Sequence, residues 1–274
     1  MNSVLLTGSG GLIGKEAILP LQEMGFNVFA PTKSEMNILD LNSVRKFMEK
    51  QKPEYLLHFA WFTGENYLND EINISLKDYS LELLKIFAEN GGKRAVFAGT
   101  CFETWGAETL YAKCKNELRE QAMDFCSHNE IFFGWGRIYY VFGHGERETR
   151  LLPYIANSLK NEQKAVIKGG SLLRDYMYSK DIATAFVKFL ASKAEDIVDI
   201  CSGEAVSIAS ITSMIANKLK KEHLLEFAEN TAGQPSVIVG DKTRLTLEVG
   251  FVPKYSLEQA INCILEDDWR IIIR

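Results

Sequence analysis

Several things are scarce or missing in this 274-residue chain, and each absence excludes something. Its five cysteines, at positions 101, 114, 126, 201 and 263, show neither paired nor metal-type spacing. A disulfide scaffold and a metal site are therefore not expected, and scattered unpaired thiols fit a reducing compartment. No basic run occurs and the formal net charge is -5, which makes nucleic acid and anionic membranes poor partners. No uninterrupted apolar run is long enough to span a bilayer. The chain opens directly into an apolar run with no basic start, so no leader is expected and the cytoplasm is the expected location. Internal repeats, low-complexity tracts and obvious linkers are also missing. What is present is a 46% hydrophobic composition, enough for one large α/β unit or two closely packed lobes.

The organising stretch is Val4-Leu5-Leu6-Thr7-Gly8-Ser9-Gly10-Gly11-Leu12-Ile13-Gly14. A short apolar run predicts a buried strand, glycines 8, 11 and 14 follow, and an amphipathic helical pattern begins at Leu12. Strand, glycine turn and helix aim backbone N–H groups and a helix N-terminus at phosphate, and the glycines permit close backbone approach. Dinucleotide binding is the reading.

Alternation continues through the first half. Strands are predicted at Phe26 to Ala30, Glu54 to Ala60, Arg94 to Gly99 and Ile131 to Tyr140. Helices are predicted at Asn42 to Lys50, Asn73 to Asn90 and Leu110 to Ser127. This pattern predicts a Rossmann-type, doubly wound parallel sheet with ligands at the carboxyl ends of its strands. After Tyr140 the rhythm loosens. Helices are predicted at Leu152 to Leu159, Asp181 to Ala191, Ser207 to Lys220 and Leu257 to Leu265, with strands at Ala165 to Lys168 and Ile197 to Cys201. The expected organisation is a dinucleotide-binding domain over residues 1–143, to which 174–200 return, and a smaller mixed α/β lobe over 144–173 and 201–274.

Tyr111 and Lys115 lie four apart on a predicted helix and so share a face. A neighbouring ammonium favours the phenolate, which suits a proton donor and acceptor. Tyr176 and Lys180 have the same spacing, but they lie in the irregular half. Tyr111 instead follows a strand ending in Thr100, at the end of the sheet where ligands sit.

Taken together these features resemble the extended short-chain dehydrogenase/reductases that act on nucleotide-sugars as epimerases, dehydratases and reductases. Thr7 to Gly14 resembles the cofactor fingerprint, and the resemblance implies dinucleotide contacts from Gly8, Gly11, Leu12, Ile13 and Gly14. Asp40 and Leu41 match the adenine contact, and Phe59, Ala60 and Trp61 the segment beside the cofactor. Asn73 matches the asparagine of the central helix. Thr100, Tyr111 and Lys115 match the catalytic set, and Ile138 the strand along the nicotinamide. Lys115 would also hold the nicotinamide ribose. Arg174 resembles an arginine that binds the nucleotide pyrophosphate; Trp61 and Arg150 join it as candidate substrate contacts. Ile200-Cys201-Ser202-Gly203 and Asp241 match C-terminal landmarks, and the two long helices imply a homodimer.

Strand two ends at Ala30-Pro31-Thr32-Lys33-Ser34, without the acidic residue that accompanies a free ribose 2′-hydroxyl. Thr32, Lys33 and Ser34 offer a cation and two hydroxyls, so NADP(H) is expected ahead of NAD. Cys101-Phe102 stands where similar 4,6-dehydratases carry an Asp-Glu pair, and Phe102 where similar epimerase-reductases carry a cysteine. Reduction of a 4-keto nucleotide-sugar is therefore expected, with 4-epimerisation on retained NAD as the alternative. A non-catalytic redox-sensing regulator is the reading from another class. Ten residues separate Thr100 from Tyr111, fewer than most of the family has, which implies an open sugar pocket.

Overall fold

A computed structural model describes residues 2–228 and 233–266. Its contacts divide the chain into two units, 1–138 with 183–200 and 243–252, and 139–182 with 201–242 and 253–274.

The first unit opens with β1 (Ser3–Thr7), α1 (Gly14–Glu23), β2 (Asn27–Phe29), α2 (Leu41–Gln51), β3 (Tyr55–His58) and α3 (Ile72–Glu89). It continues through β4 (Arg94–Thr100), the short α4 (Phe102–Trp105), α5 (Leu110–His128) and β5 (Phe132–Ile138). In the second unit β6 (Tyr140–Phe142) precedes α6 (Leu151–Lys160), β7 (Ala165–Lys168), β8 (Leu173–Arg174) and β9 (Tyr176–Tyr178). Helix α7 (Ser179–Ala191) carries the chain back into the first unit and to β10 (Asp196–Ile200). The remaining elements are β11 (Val206–Ser207), α8 (Ile208–Leu219), β12 (Leu225–Ala228), β13 (Val237–Ile238), α9 (Thr243–Leu247) and α10 (Leu257–Glu266).

The principal sheet has the order β10-β5-β4-β3-β1-β2, and every neighbouring pair is parallel. This is the expected Rossmann-type sheet. Residue alternation on β5 shows how both faces are covered. Phe133 and Trp135 enter a core with Leu83, Phe87, Phe97 and Leu118, on the side of α3 and α5. Gly134 and Gly136 point the other way, where a Cβ would come within 2.5 Å of Phe189 and 2.3 Å of Phe186 on α7. Large residues on one face and glycines on the other let α7 pack close to the strand.

The second unit has its own core, built from Leu152, Ile155, Ile167, Tyr178, Ile211, Ile215 and Ile261 among others. The unit boundaries differ from the sequence expectation. Arg174 pairs with Val206 and Ile238 through β8, β11 and β13, and β9 pairs with β6, so 174–182 belong to the second unit. Residues 243–252 belong to the first, where the Arg244 guanidinium donates to the carbonyls of Ile197 (2.7 Å) and Glu195 (3.0 Å). These pairs join strands of two or three residues, too short to show any periodicity.

The turn after β1 is shaped by its glycines. Gly8 has φ +71°, and a Cβ there would lie 2.7 Å from the Ala60 nitrogen; at Gly14 it would lie 2.1 Å from the Gly8 carbonyl oxygen. At Gly10 it would meet nothing within 4 Å. Gly14→Ala is therefore expected to destabilise the chain by roughly 2 kcal/mol or more, while Gly10→Ala stays within about 0.5 kcal/mol of the parent. Denaturant midpoints check this; equal midpoints for the two variants would contradict it.

Candidate active site

The loop between β1 and α1 closes on itself, with the Gly11 N–H donating to the Gly8 carbonyl at 2.9 Å. Ile13, at the N-cap of α1, provides no side-chain cap. The loop and the uncapped helix start suit a phosphate, and no substituent larger than hydrogen fits at Gly8 or Gly14. Leu12 and Ile13 lie in this loop. Phe59 and Ala60 lie where Gly8 approaches, just past the end of β3. The Ala60 N–H donates to Thr7 Oγ1 at 3.4 Å. His58 is held between Thr7 Oγ1 (2.8 Å) and Ser80 Oγ (3.0 Å), and burial lowers its pKa to about 3, so it stays neutral.

Asp40 caps α2 by accepting from the N–H groups of Asn42 and Ser43, and Leu41 begins that helix and packs on the core. In the turn after β2 the Glu35 carboxylate accepts from both the N–H and the Oγ1 of Thr32, each at 2.8 Å. Thr32 Oγ1 also lies 2.9 Å from Ser34 Oγ, and Lys33 is exposed. The turn thus brings in a carboxylate that does not stand at the strand end in sequence.

Thr100 is the last residue of β4, registered with Ile138 of β5, and it is buried. Thr109 caps α5 by accepting from the Ala112 N–H at 3.3 Å, which sets Tyr111 and Lys115 on the buried face of that helix. The Tyr111 ring is surrounded by Tyr67 (5.1 Å), Trp61 (6.2 Å) and Phe102 (6.4 Å), and the Thr100 hydroxyl oxygen accepts from the Phe102 N–H at 3.3 Å. Burial pushes the phenol above its ordinary range, and the Thr100 side chain opposes that.

Lys115 is only 3% exposed. Its Nζ donates to the Ala98 carbonyl at 2.8 Å and sits 3.6 Å from the centre of the Trp61 ring. The Trp61 indole in turn donates to Asn73 Oδ1 at 2.8 Å, while Asn73 Nδ2 donates to the carbonyls of Tyr67 and Asp70. Burial lowers the Lys115 pKa to about 7, partly countered by the Glu103 carboxylate. A phenol, a hydroxyl and an ammonium that titrates near neutrality are the parts needed for proton transfer to a carbonyl oxygen.

The competing pair is not built this way. Tyr176 lies on β9 and Lys180 in the first turn of α7, so their spacing gives no common helix face. Arg174, 1% exposed, donates to the carbonyls of Leu173 (2.8 Å) and Pro235 (3.0 Å) and to Gln234 Oε1 (3.1 Å). Arg150 is exposed at the N-cap of α6. Both arginines belong to the second unit, whereas Thr100, Tyr111, Lys115, Trp61 and the glycine loop all belong to the first. Glu103, whose side chain is fully buried and accepts from the Thr100 N–H, is not marked as a site residue by the sequence. An acidic residue inside so short a turn was the only signal. Among the described residues no group of three or more metal-ligand types is assembled, and no helix is long and apolar enough to cross a membrane.

Because Lys115 holds fewer protons folded than unfolded between about pH 7 and its ordinary value near 10.4, stability should rise with pH across that window. Lys115→Met is expected to stabilise the fold by on the order of 2 kcal/mol near pH 6, with the gain shrinking by about pH 9.5. Thermal melts at the two pH values check this; a loss at both would contradict it.

A family model described as the NAD dependent epimerase/dehydratase family matches residues 4–201. The dTDP-6-deoxy-L-talose 4-dehydrogenase (NAD(+)) of Aggregatibacter actinomycetemcomitans is 26% identical over 235 residues, covering 75% of this chain and 86% of that protein. The dTDP-4-dehydro-6-deoxyglucose reductase of Escherichia coli is 23% identical over 318 aligned positions, covering 97% of each. Among solved structures, UDP-glucose 4-epimerase of Thermotoga maritima with UDP-glucose superposes with a TM-score of 0.84 at 20% identity, over 97% of this chain and 98% of that one. Most of the chain, including the glycine loop and the Thr100–Tyr111–Lys115 cluster, lies within the span of the family model, and the chain belongs to the NAD dependent epimerase/dehydratase family.

Proposed function

We propose that this chain is a nicotinamide-dependent oxidoreductase that reduces the 4-keto group of a nucleotide-sugar. The observation that carries the reading is the burial of Tyr111 and Lys115 one turn apart on α5, with the Lys115 ammonium held by the Ala98 carbonyl of β4, the strand that ends at Thr100. The two curated relatives described above are named for redox chemistry at carbon 4 of a dTDP-sugar, one of them with NAD(+).

The dinucleotide would be held by the Gly8–Gly14 loop and the start of α1, with Phe59, Ala60, Trp61 and Ile138 beside it. When bound, it supplies the hydride that the protein itself lacks. Thr100 and Tyr111 hold the sugar carbonyl oxygen by hydrogen bonds, and Tyr111 delivers the proton. Lys115 stabilises the resulting phenolate and binds the nicotinamide ribose. Arg150 and Arg174 are assigned to the nucleotide-sugar. The carboxylate nearest to Thr100 in sequence, Glu103, is committed to Trp135 and Arg119, which leaves 4,6-dehydration without an acid–base pair. Epimerisation at carbon 4 with retained NAD is the second reading, favoured by the likeness to a UDP-glucose 4-epimerase.

NADP(H) ahead of NAD(H) rests on the exposed Lys33 and the Thr32 and Ser34 hydroxyls. Glu35 is occupied by Thr32 and closes the turn from within. The homodimer reading rests on α3 and α5, which pack on one another and leave Ile74 of α3 45% exposed.

The test is NADPH oxidation with dTDP-4-dehydro-6-deoxyglucose and other 4-keto nucleotide-sugars. Tyr111→Phe should lower turnover by roughly 10²–10⁴-fold while leaving dinucleotide binding intact. Thr100→Val should cost less, and Tyr176→Phe should stay within about a few fold of the parent, since it lies outside the helix pair. A Tyr111→Phe variant with parental turnover would overturn the assignment. In the same assay Lys33→Ala should narrow the preference for NADPH over NADH, and a tighter NADH complex in the parent would remove the NADP reading.

A further inference from the structure

Beneath Thr100 lies a carboxylate with more partners than a turn requires. Glu103 Oε1 accepts from the Thr100 N–H at 2.6 Å and from the Trp135 indole N–H at 2.9 Å. Glu103 Oε2 accepts from Arg119 Nη1 at 3.2 Å and lies 3.5 Å from Arg137 Nε. The side chain is 0% exposed. Space for it is created at Gly99, where a Cβ would fall 2.0 Å from Trp135 Nε1 and 2.6 Å from Glu103 Oε1. The Asn116 side chain, one residue beyond Lys115, donates to the Glu103 carbonyl at 3.0 Å and ties α4 to α5.

Two features place this group in the chemistry as well as in the fold. It holds the backbone N–H of Thr100, the last residue of β4 and one of the proposed catalytic set. It also shares an indole with Lys115: Nζ lies 5.8 Å from the Trp135 ring centre while Glu103 accepts from the N–H of the same ring. An anion on the indole N–H enriches the π face and makes it a better neighbour for an ammonium. We propose that Glu103 is a positioning residue of the active site, fixing Thr100 at the end of β4 and acting as a buried counter-charge to the Lys115 ammonium.

This inference rests on the reading of Lys115 as the ribose-binding ammonium. Titratable and charged groups around the cluster are His58 of β3, Cys101 after β4, Tyr111 and Arg119 of α5, Arg137 of β5 paired with Asp199 of β10, and Tyr67 before α3. His58 is already neutral above about pH 3, and Tyr111 titrates above its ordinary range. The arginines stay charged throughout. Lys115, with its pKa near 7, changes charge in the neutral window, and the Glu103 field raises its affinity for the proton.

The experiment is the pH dependence of NADH affinity, measured by fluorescence from about pH 5.5 to about pH 9.5 with the full chain; NADH has no 2′-phosphate to titrate. Affinity of the parent should fall as pH rises through about 7. Lys115→Met should abolish that dependence, and Glu103→Gln should move its midpoint down by about one pH unit. A carboxylate that merely closes the turn would weaken binding equally at every pH and leave the midpoint in place, which overturns the proposal. Should Glu103→Gln fail to fold, Arg119→Gln removes a cation paired with Glu103 and should move the midpoint up; an unmoved midpoint there overturns the proposal too. If Lys115→Met keeps the parental dependence, the Lys115 assignment itself falls and this inference falls with it.

Discussion

An ammonium that is 3% exposed must recover, inside the protein, most of what it loses in leaving water. Lys115 does so with one carbonyl at 2.8 Å, one indole face at 3.6 Å and the field of a nearby carboxylate, and its pKa still falls to about 7. The consequence is functional. An ordinary lysine is charged at any physiological pH, whereas this one changes protonation state near neutrality, on the same helix as the phenol proposed to deliver the proton. The surrounding residues are arranged around that compromise. Asn73 orients Trp61 beneath the ammonium, Thr109 starts the helix that carries it, and Ala98 presents a carbonyl from the middle of β4.

Close backbone approach is the second constraint. Gly8 meets the Ala60 nitrogen and Gly14 meets the Gly8 carbonyl at distances that exclude a methyl group. Gly99, Gly134 and Gly136 do the same for side chains, admitting Glu103 and Trp135 behind β4 and the phenylalanines of α7 behind β5. Glycine thus serves two ends in the first unit. At the loop it allows the close backbone approach that the proposed dinucleotide site uses, and within the strands it clears room for a buried polar cluster on one side and a helix on the other.

Much of this was legible in the sequence where the periodicity was long. The helices Ile72–Glu89 and Leu110–His128, and the strands around Leu5, Leu57, Phe97 and Trp135, follow from apolar runs of adequate length. In the second unit β7 follows from its sequence, whereas strands of two or three residues such as β8, β11 and β13 carry no pattern. They are defined by partners far along the chain. Thr100, Tyr111 and Lys115 were found from spacing and position, and the structure brings them together. Glu103 was not found, since a carboxylate on a four-residue helix looks like surface until Trp135 and Arg119 are seen to close over it. The Thr32–Ser34 turn was read from residue types alone. Its fold adds Glu35, whose return onto Thr32 depends on backbone geometry that composition does not encode.

The central proposal is that the Tyr111 site completes a hydride transfer to carbon 4 of a nucleotide-bound keto sugar. The most direct measurement uses NADPH deuterated at the transferable position, with magnetic resonance of the sugar product. One deuterium is expected, on carbon 4, with stoichiometric oxidation of the dinucleotide. Product inverted at carbon 4 with no net oxidation of the dinucleotide, or deuterium found at any other carbon, would contradict it.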